Sequence, residues 1–378
     1  MSVVPADEAL PQSDQIDGAP HPRETRELRG QGAAEAAFLD AFTGDRLHHA
    51  WMITGPRGVG KATLAWRLAR FLLANPPARD DDMFGAPPPP TTLDIAPDHP
   101  ITARMAAGSE PGLFVLRRPY DEDKKKFKQQ ITVDEVRKLK GFFSLSATEG
   151  GRRIVIVDAA DEMNVSAANA LLKVLEEPPA DALLFLISHQ PSRLLPTIRS
   201  RCRELRCTQL GAQDMAQALS AAGTDDAAQS SALTELSGGS VGEALRMIHL
   251  GGLDVYGELV ALIGTMPDLD RPAAIALGEK AAARGQEARF ELMLRLVDVL
   301  LARLARAGLG LPLSEAARGE LATLARLSPN ADAARRWATI SADLSARAQH
   351  GRAVNLDPAA LVLDMVLTIN ETAAKTAA

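Results

Sequence analysis

The sequence predicts an α/β P-loop domain, a parallel sheet with flanking helices, followed by a small helical lid and an all-α C-terminal region. Three observations carry this reading. Two runs, Ile154-Val155-Ile156-Val157 and Leu183 to Ile187, are apolar throughout, as strands buried on both faces must be. A glycine-rich loop, Gly55-Pro56-Arg57-Gly58-Val59-Gly60-Lys61, sits between a short apolar stretch and a helical pattern. From Leu253 onward, apolar residues recur almost wholly at helical spacing.

Composition bounds the function. The chain has 378 residues, enough for two or three domains, and 46% of them are hydrophobic, enough for a substantial core. Its net charge of −6 argues against a protein that grips nucleic acid unaided, because neutralising phosphates needs a basic surface. No apolar run reaches the roughly 18 residues of a membrane span, and the N-terminus carries no signal-peptide core. The expected location is the cytoplasm, with no membrane partner. Cys202 and Cys207 lie five apart and would face opposite sides of one strand, so no disulfide between them is expected. Two thiols also cannot make a four-cysteine zinc site.

Residues 1–27 are polar, rich in Pro, Asp and Glu and without apolar period, so disorder is expected there. Gly32 to Phe42 reads as a helix with Ala34, Ala37, Phe38 and Ala41 on one face. Ala50 to Thr54 is a strand, and the glycine-rich loop then leads into the helix Leu64 to Ala74. Gly55, Gly58 and Gly60 let backbone N–H groups curl around phosphate oxygens. The helix N-terminus adds positive potential, and Lys61 would reach the terminal phosphates. The next position normally gives a hydroxyl to Mg²⁺, and here it is Ala62. Thr63 comes one residue late, about 100° around the helix. Residues 76–112 form a Pro- and Asp-rich insertion read as a mobile surface loop. Leu113 to Arg117 is a strand. Tyr120 to Gln130 mixes Asp121, Glu122 and Asp123 with Lys124, Lys125, Lys126 and Lys128, which reads as a solvated loop, a DNA contact being the alternative. Thr132 to Phe143 is a helix, with Thr132 and Glu135 as a capping box.

The stretch from Arg153 to Cys202 organises the rest. Its first strand ends on Asp158, at the edge where open α/β sheets bind ligands; capping the next segment is the plainer role for that carboxylate. Ser166 to Glu176 is a helix with Ala168, Leu171, Leu172 and Leu175 on one face, stopped by Pro178 and Pro179. After the second strand come Ser200-Arg201-Cys202 and a third short strand, Arg203 to Arg206. Asn169-Ala-Leu-Leu-Lys-Val-Leu-Glu-Glu-Pro-Pro179 together with Ser200-Arg201-Cys202 resembles the bacterial clamp-loader subunits of the AAA+ class. The likeness spans residues 28–370 and is densest over 46–73 and 131–207.

That resemblance implies an AAA+ P-loop domain over 28–208, a helical lid over 209–252 and a helical collar over 253–378, through which subunits pack into a ring. Asp158, eleven residues before Asn169, matches the family's Walker B aspartate, and Ser188 or His189 its sensor-one position. Ala159 stands where active motors carry the glutamate that polarises the attacking water; Asp161 and Glu162 come three and four positions after Asp158. Leu236 to Leu245 resembles the sensor-two motif, with Gly242 in place of the arginine that contacts the γ-phosphate. With Ala62, Ala159 and Gly242 all altered, the site formed by Gly55, Gly58, Gly60, Lys61, Thr63 and Asp158 is expected to bind ATP or ADP weakly or not at all, and not to hydrolyse it. Arg201 is expected to act as a finger in trans on a neighbour's γ-phosphate, its plainer role being a salt bridge near the sheet edge. The implied partners are the ATPase (gamma or tau) subunits, the delta subunit, and the sliding clamp and primed DNA met through the assembled ring. Many members carry a zinc module after the P-loop helix; residues 76–112 hold no Cys, so neither zinc nor any other metal is expected. An active AAA+ ATPase motor is the alternative, favoured by the nearly intact P-loop. A small-molecule P-loop kinase is a third reading, opposed by the Asn169 and Arg201 motifs.

Overall fold

The computed structural model describes residues 11–16, 19–25, 27–44, 46–77, 88–144, 151–224 and 229–377. The strands are β1 (Ala50–Thr54), β2 (Leu113–Arg117), β3 (Tyr120–Asp121), β4 (Lys126–Phe127), β5 (Arg153–Asp158), β6 (Ala182–Ser188) and β7 (Arg203–Arg206). The helices of the first half are α1 (Gly32–Thr43), α2 (Lys61–Ala74), α3 (Pro100–Ala106), α4 (Val133–Ser144), α5 (Val165–Glu176), α6 (Pro196–Arg199) and α7 (Ala212–Ala221). Those of the second are α8 (Ser230–Ser237), α9 (Val241–Leu250), α10 (Gly252–Gly264), α11 (Arg271–Ala282), α12 (Glu287–Gly308), α13 (Glu320–Leu327), α14 (Ala331–Ala353) and α15 (Pro358–Ala377). The chain divides into two compact units, one of residues 1–225 with 240–242, the other of 226–239 with 243–378.

The first unit is built on a five-stranded sheet in the order β2-β5-β6-β1-β7, parallel throughout. Alternation explains why its central strands read as unbroken apolar runs. Trp51 and Phe185 point to one face, where Phe38 of α1 packs with ring centroids 5.1 Å and 6.0 Å away. Met52, Val155, Val157, Leu184 and Leu186 point to the other, against Val136 and Leu139 of α4 and Ala167, Leu171 and Leu175 of α5. Each such side chain, taken fully from water, contributes about 1.5–3 kcal/mol. Asn164 caps α5 by accepting a 2.8 Å hydrogen bond from the Ala167 N–H, worth about 1 kcal/mol. The helix stops at Glu176, one residue short of the constraint that Pro178 places on Glu177.

Two expectations need correction. Part of the 76–112 insertion is ordered: α3 has Pro100 at its first position, a His99 cap, and Ile101 and Met105 buried four residues apart. Its Pro and Asp content concealed one apolar helical turn; residues 78–87 lie outside the described residues. Residues 11–16 and 19–25, read as disordered, are packed. The Asp14 side chain is fully buried and His21 nearly so. Tyr120 to Phe127 also departs slightly from a plain loop, closing as the two-residue ladder of β3 and β4.

The second unit is helical. Leu292, Leu296, Leu300, Leu301 and Leu304 of α12 are all buried, so the helix is apolar on more than one side. Its interior also holds an ionic network. Arg303 donates to Glu320 at 2.6 Å and to Glu235 of α8 at 2.8 Å, and the Tyr256 hydroxyl donates to Glu320 at 2.5 Å. The residues expected to form one lid, 209–252, are divided between the two units, with α7 in the first and α8 in the second. No single described helix is long and apolar enough to cross a membrane.

Candidate functional site

Three segments of the first unit meet at the C-terminal edge of the sheet: the P-loop after β1, Asp158 at the end of β5, and residues 240–242. Gly58 adopts a left-handed φ of 72°, and a Cβ there would lie 2.2 Å from the Ser240 Oγ. Only glycine fits. The Gly58 carbonyl in turn accepts a 3.0 Å hydrogen bond from the Gly242 N–H. A Cβ on Gly242 would lie 2.5 Å from the Ile16 Cδ1 and 3.1 Å from the Gly58 Cα, so the space an arginine would use is already filled. Lys61 opens α2 and is buried. Its Nζ donates to the Gly55 carbonyl at 2.8 Å and also to that of Pro56. Burial lowers this ammonium to about 8.

The acidic groups are held as firmly. Burial, then the Asp14 and Glu162 charges, push the Asp158 carboxyl up to about 7. Asp161 accepts from the backbone N–H groups of His189 at 3.2 Å and Gln190 at 3.1 Å, fixing the loop after β6. Glu162 bridges Arg57 at 3.2 Å and Arg118 at 2.7 Å. Ala159 is buried and offers no carboxylate. His189 is pushed down to about 4, by burial first and then by the Lys61 and Arg57 charges, and so is neutral at pH 7. Ser188 ends β6, fully buried, in register with Thr54.

As they stand, these residues do not fit the nucleotide and Mg²⁺ that a P-loop implies. The lysine faces loop carbonyls, Ser240 and Gly242 cover Gly58, Ile16 lies against Gly242, and Asp14 adds negative charge near Asp158. Ala62 and Thr63 follow Lys61 on α2, with Thr63 half-buried. Among the described residues, no group of three or more His, Cys, Asp or Glu side chains could hold a metal ion.

Arg201 lies apart from this cleft, between α6 and the edge strand β7. Its side chain is 36% exposed. One guanidinium nitrogen donates to the Thr197 carbonyl at 3.0 Å, and another contacts Glu176, the last residue of α5, at 3.0 Å. The arginine is therefore held at the surface by α5 and α6, the two helices that carry the Asn169–Pro179 and Thr197–Cys202 motifs. Cys207 is buried and Cys202 half-buried, and both thiols are free.

The sequence-predicted residues thus form two groups: Gly55, Gly58, Gly60, Lys61, Asp158 and Gly242 together, Arg201 elsewhere. Sequence reasoning missed Asp14, Ile16 and His21 on the cleft and Glu176 beside Arg201. Nothing in a polar, aperiodic segment signals such contacts.

A parallel sheet with a P-loop after β1, an acid closing β5 and an arginine presented before β7 is the arrangement of an α/β P-loop domain. Residues 30–211 match the family model described as DNA polymerase III, delta subunit. The chain is 41% identical to DNA polymerase III subunit delta' of Pseudomonas aeruginosa over 213 residues, 56% of this chain and 59% of that one. It is 34% identical to the Escherichia coli subunit delta', over 44% of each chain. It is 30% identical to the gamma/tau subunit of Mycobacterium bovis, over 48% of this chain and 28% of that one. The chain spans about half the length of the delta' relatives it matches. Over this region it is similar to these subunits of DNA polymerase III.

Proposed function

We propose that this chain is a delta-prime-type clamp-loader subunit in DNA replication, one that does not hydrolyse ATP itself. It helps load the sliding clamp onto primed DNA and completes the ATP site of a neighbouring gamma or tau subunit with Arg201. The delta subunit is the further partner, and the helices α10–α15 serve as the collar through which the ring assembles.

One observation carries the reading. Lys61, Asp161 and Glu162 are engaged inside the chain, whereas Arg201 is at the surface in a half-exposed ion pair. Such pairs contribute about 0–1 kcal/mol, so exchanging Glu176 for a γ-phosphate is cheap. An arginine offered in trans stabilises charge as the phosphoryl group transfers and contributes about 10³–10⁵ in rate. The motor alternative has the strand–loop–helix setting of Lys61 in its favour. Against it, Asp161 and Glu162 are committed to backbone N–H groups and arginines, leaving no carboxylate to orient water.

The test is Arg201→Ala in a loader reconstituted with gamma or tau and delta. Assembly should be unchanged by gel filtration and ATP turnover should fall. Unchanged turnover removes the finger.

A further inference from the structure

We infer that residues 11–16 and 19–25 form a built-in occupant of the P-loop cleft, seated across its phosphate side so that nucleotide is excluded. This builds on the non-hydrolysing reading and goes beyond it. Lost catalytic groups account for lost turnover, whereas the arm acts on binding.

The arm is anchored at both of its described pieces. Asp14 is the deepest point. Its Oδ1 lies 2.6 Å from an Arg117 guanidinium nitrogen, and its Oδ2 lies 3.4 Å from His21 Nε2. The same Arg117 nitrogen donates to the Gln12 side-chain oxygen at 2.8 Å. A buried carboxylate costs several kcal/mol unless it is paired, and this one has two partners. Burial alone would raise its pKa, but the adjacent His21 side chain and the Arg117 charge outweigh this and hold it below the usual range. From His21 the chain turns along α2. The His21 ring stands edge-on to Trp66 with centroids 5.6 Å apart, and Arg70 donates to the Arg23 carbonyl at 2.7 Å.

Position gives these contacts their consequence. Arg117 is the register partner of Asp158, so Asp14 reaches the edge where open α/β sheets take their ligands. Ile16 meets Gly242 and, through it, Gly58, the centre of the loop whose N–H groups would face phosphates. The arm therefore places an apolar side chain against Gly242, beside the loop that would hold phosphates, and a carboxylate near Asp158. A polyphosphate would have to displace the first and would be repelled by the second. Arg117, a cation that an anionic ligand could use, already has its anion from within the chain.

The experiment compares the full chain with its Asp14→Ala/Ile16→Ala variant. Binding of a fluorescent ATP analogue is followed with Mg²⁺, and turnover is assayed in parallel. An arm seated nine-tenths of the time or more weakens apparent affinity by about tenfold or more, so the variant should bind at least tenfold tighter. Asp14→Asn is isosteric and serves if the double variant fails to fold; it should move affinity in the same direction. Tighter binding without turnover supports the arm and the non-hydrolysing reading together. Tighter binding with turnover supports the arm and overturns that reading. Equal binding by parent and variants, whether strong or absent, overturns the arm alone.

Discussion

The P-loop cleft and the Arg201 corner are two ends of one domain that treat charged groups in opposite ways. In the cleft, Lys61 donates to its own loop, Glu162 sits between Arg57 and Arg118, and Asp161 holds backbone N–H groups. At the corner, Arg201 keeps only a half-exposed carboxylate and one carbonyl, at 3.0 Å each. Groups satisfied inside a fold are costly to redirect, because desolvation has already been met by specific partners. A group resting on solvent-exposed partners is ready for exchange. The difference teaches that what a P-loop site can do depends on the partners its side chains hold as well as on which side chains it has. Lys61 and Asp161 are held by backbone groups of the cleft, whereas the surface arginine is held by exposed partners.

Four substitutions break or sharpen this contrast. The largest effect belongs to Arg201→Ala, which should lower hydrolysis at the adjoining site of the reconstituted loader by about 10³-fold or more. Single-turnover kinetics, which isolate that site from the others, would check it. Next is Gly242→Arg, which nominally restores a motor residue. Its Cβ meets Ile16 and the Gly58 Cα, so it should destabilise the chain by about 1–3 kcal/mol and bring no turnover. Thermal unfolding would measure the loss.

The third change is Asp158→Asn, and its effect depends on pH. The fold raises this carboxyl from 3.8 to about 7, so the folded chain favours the protonated form. That contribution is complete below the ordinary value and is lost as pH rises through about 7. Lys61, at about 8, keeps its charge over most of the pH 5–7.5 window, and His189, at about 4, stays neutral. Between pH 5 and 7.5 the parent should therefore lose more stability than the Asn variant. Parallel Tm profiles would contradict the placement of Asp158 against Asp14 and Glu162. The smallest effect is that of Glu176→Gln, expected to shift stability by under about 1 kcal/mol. A larger loss would mean that Arg201 is fixed in place and not held ready.

Much of this arrangement was legible in the sequence. The unbroken apolar runs of β5 and β6 identified a sheet covered on both faces, and the strand–loop–helix setting located the P-loop. Ala62 stood out against the P-loop pattern, and Ala159 and Gly242 against the motifs of the family that the chain resembles. What could not be read were contacts between segments distant in sequence. Ile16 has no apolar neighbours at helical or strand spacing, so periodicity places residues 11–16 in solvent; burial of Asp14 depends on Arg117, about a hundred residues away. Glu176 resembles any exposed helix-end acid until α6 brings Arg201 beside it. The insertion hid α3 for a related reason: Ile101 and Met105 supply a single helical turn amid prolines.

The central claim is that this chain lends its chemistry to a neighbour and performs none alone. The most direct measurement is steady-state ATP hydrolysis by the purified chain, with and without Mg²⁺. The account predicts no turnover above background under either condition. Clear Mg²⁺-dependent turnover would contradict it, and would mean that Asp161 or Glu162 leaves its present partners to orient water.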